Sequence, residues 1–432
     1  MTRRWAWLFL LGAAACTEQA TSPGVCPNFC PGGSIQVHDT IFTAIIERDS
    51  SFRGYAARSQ GEGLAAADLP VVQSRPFFVL STMITRLAPK SGDTTTVPIS
   101  VDSARLRLSI VRRAKEATNL TLRLYLLPLT ADSTSDFASL DPFFSAAAVD
   151  SVNVSDLLAR PAIGDTATVR IWGDSIRTDS AGHILQIARS DSTLVVYFSL
   201  DTTQAPFSVP DSGRVAFGVR VTADSLASIR LGANESVTNG PVMRWFYHYT
   251  DRDSAMTVKA DSALRAPRFD SFVFDPPNPP LDDTTLVVGG APSARSLLRV
   301  AMPAFLHDSF DVVRATVILV PVAAVQAAPS DSFTILVRPV LTDLGAKSPL
   351  SPATEAFGRV VVHPGSSDTL RFELTDMVRS WAIDTTFATA FFLGQIPEAA
   401  SFTEIRFYSS RVSAFRPALH VTYVKRFPFG EP

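Results

Sequence analysis

The chain of 432 residues is 46% hydrophobic, 9% aromatic and 19% charged, which supplies a packed core and excludes a disordered chain. Its 39 basic and 41 acidic residues leave a net charge of −2 with no lysine-rich stripe, so no nucleic-acid partner is expected. At roughly 150 residues per domain, the length suggests two or three domains.

All 3 cysteines fall within the first 30 positions. The chain begins MTRRWAWLFLLGAAAC, where Arg3 and Arg4 precede an apolar run that stops at Cys16. A membrane-crossing helix needs about 20 apolar residues, so this run is too short to span and has the make-up of an export signal. AAAC resembles the bacterial lipobox, which implies that residues 1–15 are removed and that Cys16 becomes an acylated first residue. An ordinary secretory cut near Ala15 would instead leave Cys16 as a free thiol. Thr17 follows it, and the absence of Asp there implies sorting to the outer membrane of a Gram-negative envelope. Residues 16–36 read as a flexible leader rich in Cys, Pro and Gly. With Cys16 acylated, Cys26 and Cys30 remain as a pair that closes a small disulfide in an oxidising compartment. Their spacing is not CxxC, and no second pair or clustered His completes a zinc site.

Beyond the leader the pattern is that of strands. In SARLRLSIV the apolar Leu106, Leu108 and Ile110 take one face, and Arg105, Arg107 and Ser109 the other. TLRLYL, DTLRFEL and PALHVTYV alternate in the same way. Asp-Ser and Asp-Thr dipeptides between such runs supply turn chemistry. The expected fold is all-β: tandem antiparallel β-sandwiches of jelly-roll type, each with a short helix.

Blocks recur in a shared order, which reads as a duplication. FFVLSTMI from Phe77 answers RSLLRVAM from Arg295, and SARLRLSI from Ser103 answers RATVILVP from Arg314. LTLRLYLLPLT matches FTILVRPVLT with Pro128 on Pro339, VNVSDLLAR matches FELTDMVRS, and GPVMRWFYHY matches RPALHVTYVK. The expected division is a first sandwich over 37–255, a Pro-rich linker over 256–284 and a second sandwich over 285–432. An extra hairpin is expected in the first unit between Pro161 and Leu200. Each unit carries a helix, with Ser155 and Thr375 as N-caps, Asp156 and Asp376 at the positive end, and Met377 reaching Trp381 in the core.

In MRWFYHY, alignment with the last strand puts Met243, Trp245 and Tyr247 in the core phase. Phe246 and His248 take the opposite phase and are the candidate ligand-binding residues, as an aromatic platform for a sugar ring. The competing reading is an outward Phe covered by the insertion.

No GxSxG, HExxH, P-loop or GxGxxG occurs, so lipase, metallopeptidase and nucleotide-binding readings lose their usual support. WGDSI, Trp172 to Ile176, reads as a turn, and no histidine has the Asp three residues earlier that a GDS-type esterase requires. No pair among the acidic residues is singled out for glycoside hydrolysis. The aspartate-rich loop from Asp282 to Thr285 could hold a structural Ca²⁺ but lacks an EF-hand spacing, so no metal or cofactor is assigned.

SARSLLRVAMP, VVRATVILVPV, LTDMVRSW and FYSSRVSAFRPALHVTYV resemble the DNRLRE-type domain family, with SARSLLRV the nearest relative of its name-giving motif. The resemblance implies a β-sandwich similar to carbohydrate-binding modules, in exported bacterial proteins, without catalytic residues to carry over. The expected function is a lipid-anchored, non-enzymatic binding or structural module of the cell envelope, with glycan or envelope proteins as partners. The competing expectations are an envelope polysaccharide hydrolase with unidentified carboxylates and a purely structural envelope protein.

Overall fold

The computed structural model describes residues 36–426 apart from 83–84, 89–94, 164–174, 189–192, 203–213, 252–255, 330 and 356. Cys16, Cys26 and Cys30 lie outside the described residues, as do Trp172, Gly173 and Asp174 of WGDSI.

The fold is all-β, as the alternation predicts, and every pairing among the described strands is antiparallel. The chain begins with β1 (Val37–Phe42), β2 (Ile46–Arg53), β3 (Gly63–Leu69) and β4 (Val72–Leu80). The short β5 (Arg86–Leu87) and β6 (Val97–Pro98) lead to the long β7 (Ser100–Arg113), then β8 (Thr121–Leu127). Helix α1 (Phe137–Leu140), β9 (Asp150–Asn153) and helix α2 (Val154–Ala159) follow. Next come β10 (Ser175–Thr178), β11 (Ile184–Ile187), β12 (Leu194–Leu200), β13 (Val215–Thr222) and β14 (Ser228–Gly232). The first half closes with β15 (Val242–Thr250), β16 (Val258–Arg265) and β17 (Pro267–Asp275). The second half holds β18 (Thr285–Gly289), β19 (Ala294–Val300), helix α3 (Ala304–Asp308), β20 (Phe310–Leu319) and β21 (Phe333–Pro339). It ends with β22 (Gly358–Val362), β23 (Leu370–Glu373), helix α4 (Thr375–Ile383), β24 (Ala390–Ile396), β25 (Glu404–Tyr408) and β26 (Ala418–Lys425).

In the first half one leaf runs β10-β11-β12-β7-β15-β16 and the other β17-β4-β13-β8-β9. β3 and β14 pair with each other and join the leaves at one edge. Inner residues of both leaves, among them Leu106, Leu108, Trp245, Phe78, Phe217 and Leu124, form one buried cluster, consistent with a β-sandwich. The second half sets β22-β21-β24-β19-β18-β25 against β1-β26-β20-β23 around its own cluster, where Met377 and Trp381 of α4 are buried.

The register repeats between the halves. Met243 and Trp245 face Leu106 and Ala104, and Leu419 and Val421 face Val317 and Ala315 at the corresponding places. Phe217 faces Phe78 as Phe391 faces Leu298. One aligned block departs from this order. β23 pairs with β20 as β12 pairs with β7, whereas β9 pairs with β8 as β22 does with β21. FELTDMVRS therefore occupies the position of the strand ending at Leu200, not that of VNVSDLLAR. Likewise Pro339 faces Phe391 where Leu126 faces Phe217, so Pro339 corresponds to Leu126 and not to Pro128.

The expected boundaries fail at their edges for a physical reason. β1 pairs with β26 and β2 with β19, so residues 37–53 complete the sheets of the second half. β16 pairs with β15 and β17 with β4, so much of the expected linker is strand in the first half. Each two-strand segment precedes one half in sequence and completes the other in space. A buried aspartate on each segment fastens it. Asp49 accepts from the Ser410 N–H at 2.6 Å and Asp270 from the Asn234 N–H at 2.7 Å, and both are 2% exposed.

The halves also dock directly. Arg230 forms a buried ion pair with Asp331, which also accepts from Ser401 and from Thr403 Oγ1. Phe274 and Phe402 pack with tilted rings 5.7 Å apart, and Ala291, Ala328 and Phe402 belong to the first half's buried cluster. Gly61 has no side chain because a Cβ there would lie 2.4 Å from the Ala399 carbonyl oxygen.

Ser155 and Thr375 are not caps. Ser155 Oγ accepts from the Leu120 N–H at 2.9 Å and Thr375 Oγ1 from the Ala315 N–H at 2.8 Å. Asn153 caps α2 by accepting from the Asp156 N–H at 2.9 Å. A strand N–H left without a ladder partner must be satisfied, and these hydroxyls do that.

Candidate functional site

The β-alternation that buries Met243, Trp245 and Tyr247 turns Arg244, Phe246 and His248 to the outer face of the same leaf, both as expected. On β7 it turns out Ser103, Arg105 and Arg107, and on β12 it turns out Tyr197 and Ser199. The register then fixes their neighbours. Arg244 lies directly across from Arg105, which has Ser199 on its other side; Phe246 lies across from Ser103, and Tyr197 across from Arg107. The extra hairpin β10-β11 is present in the insertion, and it widens the leaf beyond β12, on the side away from β15. Its strands extend the sheet rather than cover Phe246.

This face is fixed at its rim. The Arg107 guanidinium donates to the Thr238 and Gly240 carbonyls at 2.9 and 3.2 Å. Tyr197 donates its hydroxyl proton to Gln186 Oε1 at 3.2 Å. His248 is held through Nδ1 by Asp102 at 2.6 Å. The Arg244 guanidinium sits 5.9 Å from the centre of the Phe246 ring, a cation–π contact. Neither Arg105 nor Arg244 has an acidic partner among the described residues.

The corresponding face of the second half is internally satisfied. His420 faces Thr316 where Arg244 faces Arg105. Asp39 on β1 takes His420 Nε2 at 2.8 Å and the Thr422 hydroxyl at 2.7 Å, and Arg314 pairs with Glu373 at 3.0 Å. No free aromatic stands at the Phe246 position, which is Thr422.

Carboxylates also meet elsewhere among the described residues. His183 is clamped between Asp150, at 3.0 Å from Nε2, and Asp179, at 2.7 Å from Nδ1. A depression of about 330 Å³ where the halves meet is lined by Glu62, Arg295, Arg338 and Glu398. There Arg295 binds both Glu398 oxygens at 2.6 and 2.7 Å, and its guanidinium lies 4.4 Å from the Tyr55 ring centre. In the aspartate-rich loop the Asp282 oxygens accept from the Thr284 N–H and from the hydroxyls of Thr284 and Thr285. They are committed to the turn. Among the described residues no group of three or more His, Cys, Asp or Glu side chains is placed to hold a metal ion.

Phe246 and His248 were accessible to sequence reasoning because alignment on the last strand assigns their phase. Arg105, Arg244 and Tyr197 were not singled out. Their alternation shows that they point outward, but only strand register shows that the two arginines are neighbours.

No family model matches the chain, and no curated protein matches it. Against the solved structures, it aligns with the Faustovirus major capsid protein at 9% identity over 94% of this chain and 92% of that one, with a TM-score of 0.09. A likeness at that level carries no conclusion about fold or function.

Proposed function

We propose that the chain is an exported, non-catalytic binding module of the bacterial cell envelope, built from two tandem sandwiches, whose first half presents a glycan-binding face around Phe246. The observation that carries this reading is the contrast between the two outer faces. In the first half a half-exposed aromatic ring stands beside arginines without acidic partners, while in the second half the same positions are closed by Asp39 and Glu373. An aromatic ring flanked by hydrogen-bonding side chains suits the apolar face of a sugar and its hydroxyls. The resemblance of the closing segment to the DNRLRE-type domain supports the same class. On this reading Cys16 carries the lipid that tethers the module, Cys26 and Cys30 form a disulfide in the leader, and the site is the outer membrane.

The competing reading is an envelope polysaccharide hydrolase, for which Glu62 and Glu398 in the depression between the halves are candidate carboxylates. The bidentate Arg295 contact occupies both oxygens of Glu398, so neither is free to meet a substrate in this arrangement. Native gels containing polysaccharides separate these readings. The detergent-solubilised full-length protein should be retarded without degrading the polymer, and Phe246→Ala should abolish the retardation while leaving the melting temperature within a few degrees. Turnover that disappears with Glu398→Gln would establish the hydrolase; retardation by no glycan would move the weight to a purely structural role.

A further inference from the structure

Resting on that reading, we propose that the glycan is anionic, a uronate-bearing polysaccharide whose carboxylate is held between Arg105 and Arg244. The two arginines occupy directly opposed positions on β7 and β15. Opposed residues on one sheet face have Cβ atoms about 5 Å apart, and like charges at that spacing repel. A sheet that needed only stability would place an acid at one of the two positions. The second half illustrates this economy: there the matching strand pair carries Thr316 and His420, and Asp39 is hydrogen-bonded to the histidine.

Neither guanidinium is committed to a carboxylate or to a carbonyl among the described residues. Arg244 is instead braced against the Phe246 ring, which limits its freedom and leaves its N–H edge available. Two planar guanidiniums on directly opposed positions of one sheet face are suited to a carboxylate, because each offers paired donors in a fixed fork. Phe246 on one side and Tyr197 on the other supply flat surface for the sugar ring that bears the carboxylate. The open six-stranded leaf accommodates a chain lying across the strands, not a ligand enclosed on all sides. With a net charge of −2 the whole protein does not draw polyanions indiscriminately, so recognition must be local.

The test uses detergent-solubilised full-length protein in native gels containing polygalacturonate, or a neutral dextran at equal mass. Wild type should be retarded by the polyuronate and not by the dextran. The double variant Arg105→Gln, Arg244→Gln should weaken that retardation by about tenfold or more, since one lost charged hydrogen bond is already worth at least about that factor. Its melting temperature should equal or exceed that of wild type, because the opposed charges are gone. Unchanged retardation in the double variant overturns the proposal. Retardation by dextran that depends on Phe246 but not on the arginines overturns it too, while leaving the glycan reading intact. Retardation by neither polymer overturns the proposal as well, and the broader glycan reading falls only when no other polysaccharide retards the protein either. Binding to vesicles of anionic lipid in the absence of polyuronate binding would assign the arginine pair to a different occupant and contradict the inference.

Discussion

His183 and Asp270 are buried ionisable groups whose surroundings push them in ways that stability can report. The hydrogen bond that His183 donates to Asp150, together with the one it donates to Asp179, raises the imidazole to about 9 against the opposing effect of burial. Its unfolded value lies near 6.5. The resulting stabilisation is therefore complete below pH 6.5 and disappears as pH rises through 9. Asp270 is raised to about 7, chiefly by burial, against the lowering effect of the Asn234 N–H. Its preference for the neutral form makes the folded state lose stability between the unfolded carboxyl value near 4 and pH 7. The melting temperature should accordingly fall from pH 4 to pH 9 in two overlapping stages. His183→Ala should cost about 3 kcal/mol at pH 6, as for a broken buried pair, and much less at pH 9.5. Asp270→Asn, whose side-chain oxygen can still accept from the Asn234 N–H, should flatten the acidic stage and raise the melting temperature at pH 8. Thermal melts across this pH range check both. A His183→Ala effect that grows above pH 8, or an Asp270→Asn variant less stable at pH 8, would contradict these assignments. Neither residue was legible as an ionisable site in the sequence, because Asp150 is 33 positions from His183 and only the hairpin brings them together.

At the scale of elements, alternation was legible wherever a strand has one buried and one exposed face. Leu106, Leu108 and Ile110 on β7, and Met243, Trp245 and Tyr247 on β15, are buried as their phase requires. β16 was missed for the converse reason: VKADSALR is exposed along nearly all of its length on both faces, so no apolar period marks it. The strand exchange left no local trace either. A two-strand segment with the right pattern fits either half, and which sheet it joins depends on geometry that no single window contains. The buried Asp49 and Asp270 mark equivalent segments only once their backbone partners Ser410 and Asn234 are seen. A fragment from Asp270 to Pro432 holds every expected element of a second sandwich, yet it lacks β1 and β2. It would leave the β26 edge and one edge of β19 unpaired and expose their apolar residues. We expect it to be aggregated or molten, whereas the same fragment carrying residues 36–57 fused through a flexible linker should give dispersed amide spectra. Cooperative folding of the bare fragment would show that the exchanged strands are dispensable.

The whole molecule joins two similar sets of strands that differ in how their outer faces are settled. Exchange of the leading segments, the buried Arg230–Asp331 pair and the contact of Phe274 with Phe402 tie the halves into one unit. Within it the second half satisfies its own surface charges with Asp39 and Glu373, while Arg105 and Arg244 beside Phe246 in the first half have no acidic partner among the described residues. That difference could not be read from the repeat, which predicts equivalence; it follows from Thr422 standing where the first half has Phe246, and from the aspartate that β1 brings across. The most direct measurement is hydroxyl-radical footprinting of the full-length protein with and without polygalacturonate, read residue by residue by mass spectrometry. Oxidation of Phe246 and Tyr197 should fall by several-fold on adding the polymer while that of Tyr423 in the second half stays constant. Protection confined to the second half, or none at Phe246 under conditions where the polymer binds, would contradict the account.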